Sequence, residues 1–182
     1  QRQMCIRDRL SALTSVAYMA AIRKGRELAS RSQWSMPQLL MSCVVVVGSI
    51  SVVVPDVAGL GLTQINEMID AKFGLVMLFV LLAGKIFVTA YCLNAGFFGG
   101  VFGPALFVGA ATGAIVANAA TVAGLAPHLS YALPIAAIAA VGGAVIGAPL
   151  TAIMIIIELT GSYAYGLSAM LCAILCSLFT LR

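Results

Sequence analysis

Apolar residues run along the chain in long blocks, without the alternation of a half-buried strand or the one-sided stripe of a soluble amphipathic helix, and polar residues collect between them. A helix needs about 20 apolar residues to cross a hydrocarbon layer of roughly 30 Å. The blocks at residues 10–28, 36–54, 74–94 and 105–126 approach that length. The second opens on Ser35-Met36-Pro37, with proline in the first turn where its missing N–H is not needed, and stops at Pro55-Asp56. Residues 57–73, VAGLGLTQINEMIDAKF, predict a loop and a short interfacial helix. Beyond the fourth block come a Pro-His-Leu-Ser-Tyr loop, an apolar run at 132–146, a Gly-Ala-Pro break at 147–149, a run at 150–159 and a last segment at 163–181. At about 1.5 Å per residue the run at 150–159 reaches only about half-way across the layer.

Two interruptions therefore fall inside apolar sequence: GFFGGVFGPALFVGAATG at 96–113, and GAP at 147–149. Lipid offers no partners for backbone N–H and C=O, so a break at membrane depth must be packed in protein or line a watery cavity. Gly99 and Gly100 permit a tight turn and the close approach of a ligand, and Pro104 pre-sets the first turn of a helix beginning near Phe102. The N–H groups of Val101, Phe102 and Gly103 then project from a helix N-terminus carrying about half a positive charge, a place for an anion that needs no basic side chain. Amide partial charges can hold and release a small ion that a fixed Lys or Arg would retain. The competing reading is helix packing, with Gly99, Gly100, Gly109, Gly113, Gly142 and Gly143 serving as small contact residues. For Gly109 and Gly113 packing is the favoured reading, and 147–149 reads as the start of a half-helix.

Composition fixes the class. The chain is 62% hydrophobic and 9% charged with a mean hydropathy of +1.10, against about 45–50% and about 25% for soluble domains. Six acids and ten bases cannot solvate the surface of a 182-residue soluble domain. An all-α, multi-pass integral membrane protein of a cell or inner membrane is expected. Of the net charge of +4, residues 1–31 hold seven bases (Arg2, Arg7, Arg9, Arg23, Lys24, Arg26, Arg31) against Asp8 and Glu27, so the remainder is slightly acidic. Such clusters favour the cytoplasmic side. No fold signal accompanies them for nucleic acid.

Candidate chemistry adds little. Cys43, Cys92, Cys172 and Cys176 sit in apolar segments and read as small soft hydrophobes; Cys172 and Cys176 are a helical turn apart without a His or carboxylate to complete a metal site. His128 reads as a loop residue, and no metal or cofactor is expected. Lys85, inside the third block, would cost about 2.5–3.5 kcal/mol facing lipid, so it should face protein or water, or snorkel. A membrane-embedded enzyme would need a nucleophile and base or paired acids at depth, and His128 with Glu158 does not supply them.

GGVFGPALFVGAATG resembles the C-terminal anion-binding motif of the CLC family of chloride channels and proton-coupled chloride antiporters. GAPLTAIMIIIELTGSY is similar to that family's Ala-Pro-Leu-Thr segment, and PDVAGLG at 55–61 to its Pro-Glu-Val-x-Gly-x-Gly loop. The three lie in the family's order, and the resemblance covers residues 34–180. It implies a helical membrane domain of two inverted repeats with broken and half-spanning helices, in a homodimer with one pathway per subunit. Chloride would be the transported ligand, bound by the main-chain amides of Val101 and Phe102, with Gly99, Gly100, Gly103 and Pro104 shaping the turn. The helix at 149–159 corresponds to an element used at the dimer interface, and Glu158 reads as structural. The family's Gly-Ser-Gly-Ile-Pro and Gly-Arg/Lys-Glu-Gly-Pro motifs do not occur here, nor does a final helix with its coordinating tyrosine; Tyr163 and Tyr165 lie too early. Residues 10–182 thus look like the second half of the fold without its last helix, unable to transport alone. QMCIRDR at 3–9 is neither a signal peptide nor a helix start. It resembles a translated sequencing-library adapter, so 1–9 are expected to be an assembly artefact.

Overall fold

The computed structural model describes residues 2–31, 35–97, 99–122, 129–160 and 170, and the elements found there are helical. They are α1 (Arg2–Arg31), α2 (Met36–Val53), a 3-10 turn (Pro55–Val57), α3 (Leu62–Ile69), α4 (Leu75–Asn94), α5 (Phe102–Val122), α6 (Leu129–Ile146) and α7 (Pro149–Thr160). Three of these, α2, α4 and α5, are long and apolar enough to cross a membrane. The helix α7, at 12 residues, reaches about 18 Å, a half-span.

Two boundaries differ from the hydropathy pattern. α1 runs back through residues 2–9, because a helix once nucleated continues through a segment lacking proline and glycine. α6 begins at Leu129, so Leu129 to Tyr131 are helical where the pattern put loop. Hydropathy marks where apolar side chains begin, whereas a helix begins with its hydrogen bonds. His128, Cys172, Cys176 and the segment 163–181 apart from residue 170 lie outside the described residues.

The centre of the structure is the antiparallel pair α5 and α6. Leu106 lies against Gly142, Gly109 against Ala137 and Ile138, Gly113 against Leu133 and Pro134, and Val116 and Ala117 against Leu133. A Cβ on Gly109 would stand 2.7 Å from Ile138 Cα, and one on Gly113 2.8 Å from the Leu133 carbonyl oxygen, so both glycines are required by the closeness of the helices. Buried alanines surround the seam: Ala110, Ala111, Ala114 and Ala139 belong to the central core, while Ala136 and Ala140 cluster with Ala12 of α1. α1 lies against α4, α5 and α6. The Asn94 side chain joins the ends of α1 and α4, donating to the carbonyls of Ile22 (3.1 Å) and Ala90 (2.6 Å) beside Gly25.

α2 is held more loosely, and Cys43 is its one buried residue. Its described contacts with α4 include the hydroxyls of Ser42 and Tyr91 at 3.1 Å and the sulfurs of Cys43 and Cys92 at 3.7 Å. α3 turns Ile65 and Met68 into the core that contains Phe107 and Ala110 of α5.

Candidate functional site

α4 ends by a glycine cap: Ala95 N–H donates to Tyr91, Phe97 N–H to Cys92, and Gly96 takes φ +95°. The chain then runs through Gly99, Gly100 and Val101 before α5 starts at Phe102, as the sequence predicted. The first bond of that helix is Ala105 N–H to the Val101 carbonyl, at 3.1 Å. The N–H groups of Val101, Phe102 and Gly103 precede it and have no helical acceptor, and Pro104 carries none. Three amides thus gather at the positive end of a 21-residue helix.

The glycines divide by role. Gly99 and Gly100 are exposed, and a Cβ on either would meet nothing within 4 Å among the described residues. Among the described residues they pack against no helix. Among the described residues of the connection, Gly96 is left-handed. Gly103 packs on Leu60, whose Cδ2 a Cβ would meet at 2.9 Å.

Leu60 belongs to the PDVAGLG segment, which lies against the start of α5. Gly61 has φ +72°, and a Cβ there would stand 2.7 Å from Cε2 of the Phe107 ring. Lys85, 2% exposed, reaches this segment from α4 and donates to the carbonyls of Val57 (2.9 Å) and Gly59 (2.6 Å), with its Nζ 4.7 Å from the Phe107 ring centroid. Of the alternatives open to Lys85 in the sequence, the structure selects protein: the lysine ties the loop to α4, and the loop supports α5. Cation and ring attract each other over this distance.

On the other side stands Tyr18 of α1, which sequence reading did not single out. Its side chain is fully buried among Ala105, Val108 and Val141, and its hydroxyl donates to the Val101 carbonyl at 3.2 Å. The exposed Arg23 lies five residues further along α1, about 8 Å away along the axis. The start of α5 therefore lies beside an apolar part of α1. Val101, Phe102, Gly103 and Pro104 are half-buried, and Glu158 is exposed on α7. Among the described residues no group of three or more His, Cys, Asp or Glu side chains could hold a metal.

The family model described as voltage gated chloride channel matches residues 9–181. The chain belongs to this family. Tyr18, Lys85 and the turn at 99–104 all fall within the matched region. Among curated relatives, the H(+)/Cl(-) exchange transporter ClcA of Vibrio vulnificus is 31% identical over 139 residues, 71% of this chain and 29% of that protein. The putative chloride channel protein ClcB-like of Ralstonia nicotianae is 35% identical over 144 residues, 76% of this chain and 33% of that protein. The aligned regions thus span about a third of these relatives, which are named as a transporter and a channel. With its helical elements and apolar spans, the voltage gated chloride channel relationship makes this an integral, multi-pass membrane protein.

Proposed function

We propose that this chain supplies one wall of a chloride pathway, with the amides of Val101 and Phe102 as its anion-binding groups and Gly103 completing the helix start. The reading is carried by one observation: these N–H groups begin α5 without helical acceptors, beside glycines whose open side would admit an ion. Chloride is a weakly basic, singly charged acceptor, suited to a helix terminus that binds without a fixed positive charge. The names of the relatives supply the ion: chloride for both, proton exchange for the first.

The protein acts as a transporter or channel, with no bond made or broken and no cofactor required. Residues 10–182 form part of a larger transmembrane domain whose remaining segments close the other side of the site, and residues 1–9 are foreign to it. The assembly is a homodimer in a lipid bilayer of the cell or inner membrane. The exposed Leu150 and Met154, one turn apart on α7, suit such a contact.

Bromide scatters anomalously and replaces chloride in such sites. Crystals of the full-length protein grown in bromide should show a peak at about hydrogen-bond distance, roughly 3.3 Å, from the nitrogens of Val101 and Phe102. Peaks elsewhere in the pathway with none at these amides would overturn the assignment. The isolated chain in liposomes should carry no chloride above background, and sustained flux would contradict its partial character.

A further inference from the structure

The amide that ends on Phe102 N–H begins on the Val101 carbonyl, since the two belong to one planar peptide unit. That carbonyl accepts two hydrogen bonds: Ala105 N–H at 3.1 Å, the ordinary first bond of α5, and Tyr18 O–H at 3.2 Å, which comes from a helix 83 residues earlier in the sequence. A carbonyl oxygen only accepts, so the single phenol proton points at Val101. Thr89 of α4 lies beside the Tyr18 hydroxyl, and with the phenol proton on the Val101 carbonyl a threonine there can only donate to it. Tyr18 is fully buried and Thr89 is 8% exposed, so the donor side of this contact is enclosed by protein.

The result is a chain of oriented dipoles: Thr89 hydroxyl, Tyr18 hydroxyl, the Val101 carbonyl and, on the other end of the same peptide, the Phe102 N–H. Hydrogen bonds in series polarise one another, and a carbonyl that accepts a second bond makes its own peptide's N–H a stronger donor. The contact also fixes the rotation of the peptide plane, and with it the direction of the N–H.

Resting on the reading of Val101 and Phe102 as anion ligands, we propose that Tyr18 is a positioning residue for the anion site, strengthening and aiming the Phe102 amide from behind, with Thr89 orienting its hydroxyl. Tyr18 does not touch the ion. Its effect depends on how well the anion accepts hydrogen bonds: chloride, a good acceptor, benefits more than thiocyanate, a poor one.

The test is calorimetric binding of chloride and thiocyanate to the full-length protein. Tyr18→Phe keeps the ring and removes one hydroxyl, and chloride affinity should fall about three- to tenfold, the range of a typical hydrogen bond, with thiocyanate affected less. Thr89→Val should produce a smaller loss in the same direction, and serves alone if the tyrosine variant does not fold. Replacing the Phe102 amide by an ester removes the N–H, so Tyr18→Phe should then have no further effect. If the ester weakens chloride binding but Tyr18→Phe and Thr89→Val do not, Tyr18 has no such role and the amide site stands. Equal losses for both anions, or the same loss with and without the Phe102 N–H, reduce Tyr18 to a packing residue and overturn the proposal. An ester without effect removes the anion site itself, and the proposal with it.

Discussion

Lys85 Nζ lies 2.6 Å from the carbonyl oxygen of Gly59, so the one basic residue inside α4 spends its charge on the backbone of a neighbouring loop. With its second bond, to Val57, it holds the PDVAGLG segment in the position from which Leu60 and Gly61 meet the start of α5. Removing the ammonium leaves two carbonyls short of their donor. Hydrogen bonds to charged groups contribute about 1.5–3 kcal/mol each, so Lys85→Met should destabilise the fold by about 3 kcal/mol. Thermal unfolding in detergent checks this, and a melting temperature equal to wild type would mean the loop is held by other contacts.

Two glycines of that loop separate backbone strain from crowding. Gly59 and Gly61 have φ of +66° and +72°, but a Cβ on Gly59 meets nothing within 4 Å, whereas one on Gly61 runs into the Phe107 ring. Gly59→Ala should show only the left-handed penalty, about 1–2 kcal/mol. Gly61→Ala should exceed it by about 1–3 kcal/mol of overpacking. Equal losses in unfolding experiments would argue against the contact between loop and α5.

A similar contrast applies along α5. A Cβ on Gly113 collides with the backbone of Leu133 and Pro134, which cannot step aside as a side chain can, while one on Gly99 meets nothing within 4 Å among the described residues. Gly113→Ala should lower stability by about 1–3 kcal/mol. Gly99→Ala should leave the melting temperature near wild type while altering anion affinity, if the ion approaches along the glycine's free side as proposed. Normal anion affinity in the Gly99→Ala protein would place the ion elsewhere.

The sulfurs of Cys43 and Cys92, 3.7 Å apart, give a chemical check on how α2 meets α4. Oxidation by a copper–phenanthroline reagent should join them, the two thiols losing two protons and two electrons to the oxidant. Peptide mass spectrometry would find the pair linked, and Cys43→Ser should abolish the product. No Cys43–Cys92 link under conditions that oxidise other cysteines would contradict the packing.

How much of this was legible depended on which physics left a mark in the sequence. The break before α5 could be read because glycines and a proline punctuate apolar sequence, and the bounds of α2 and α4 because a membrane sets helix length. Gly109 and Gly113 declared themselves as packing residues by the same logic. Tyr18 did not, since one phenol in an apolar helix looks the same whether it faces lipid or a carbonyl 83 residues away. The partnership of Cys43 with Cys92, 49 residues apart, was hidden for the same reason. Lys85 announced only that it must avoid lipid; that its acceptors are main-chain carbonyls could come only from the fold. The left-handed Gly96 went unmarked, because nothing in the sequence distinguishes the glycine that caps α4 from those that follow it.

The central claim is that main-chain amides at the start of α5 hold the ion. Exchanging the amide for an ester at Phe102, and separately at Val101, deletes one N–H and leaves every side chain in place. Calorimetric titration of the full-length protein with chloride should find each ester about tenfold or more weaker than wild type, the loss expected for one bond to a charged acceptor. Chloride affinity unchanged in both would contradict the account.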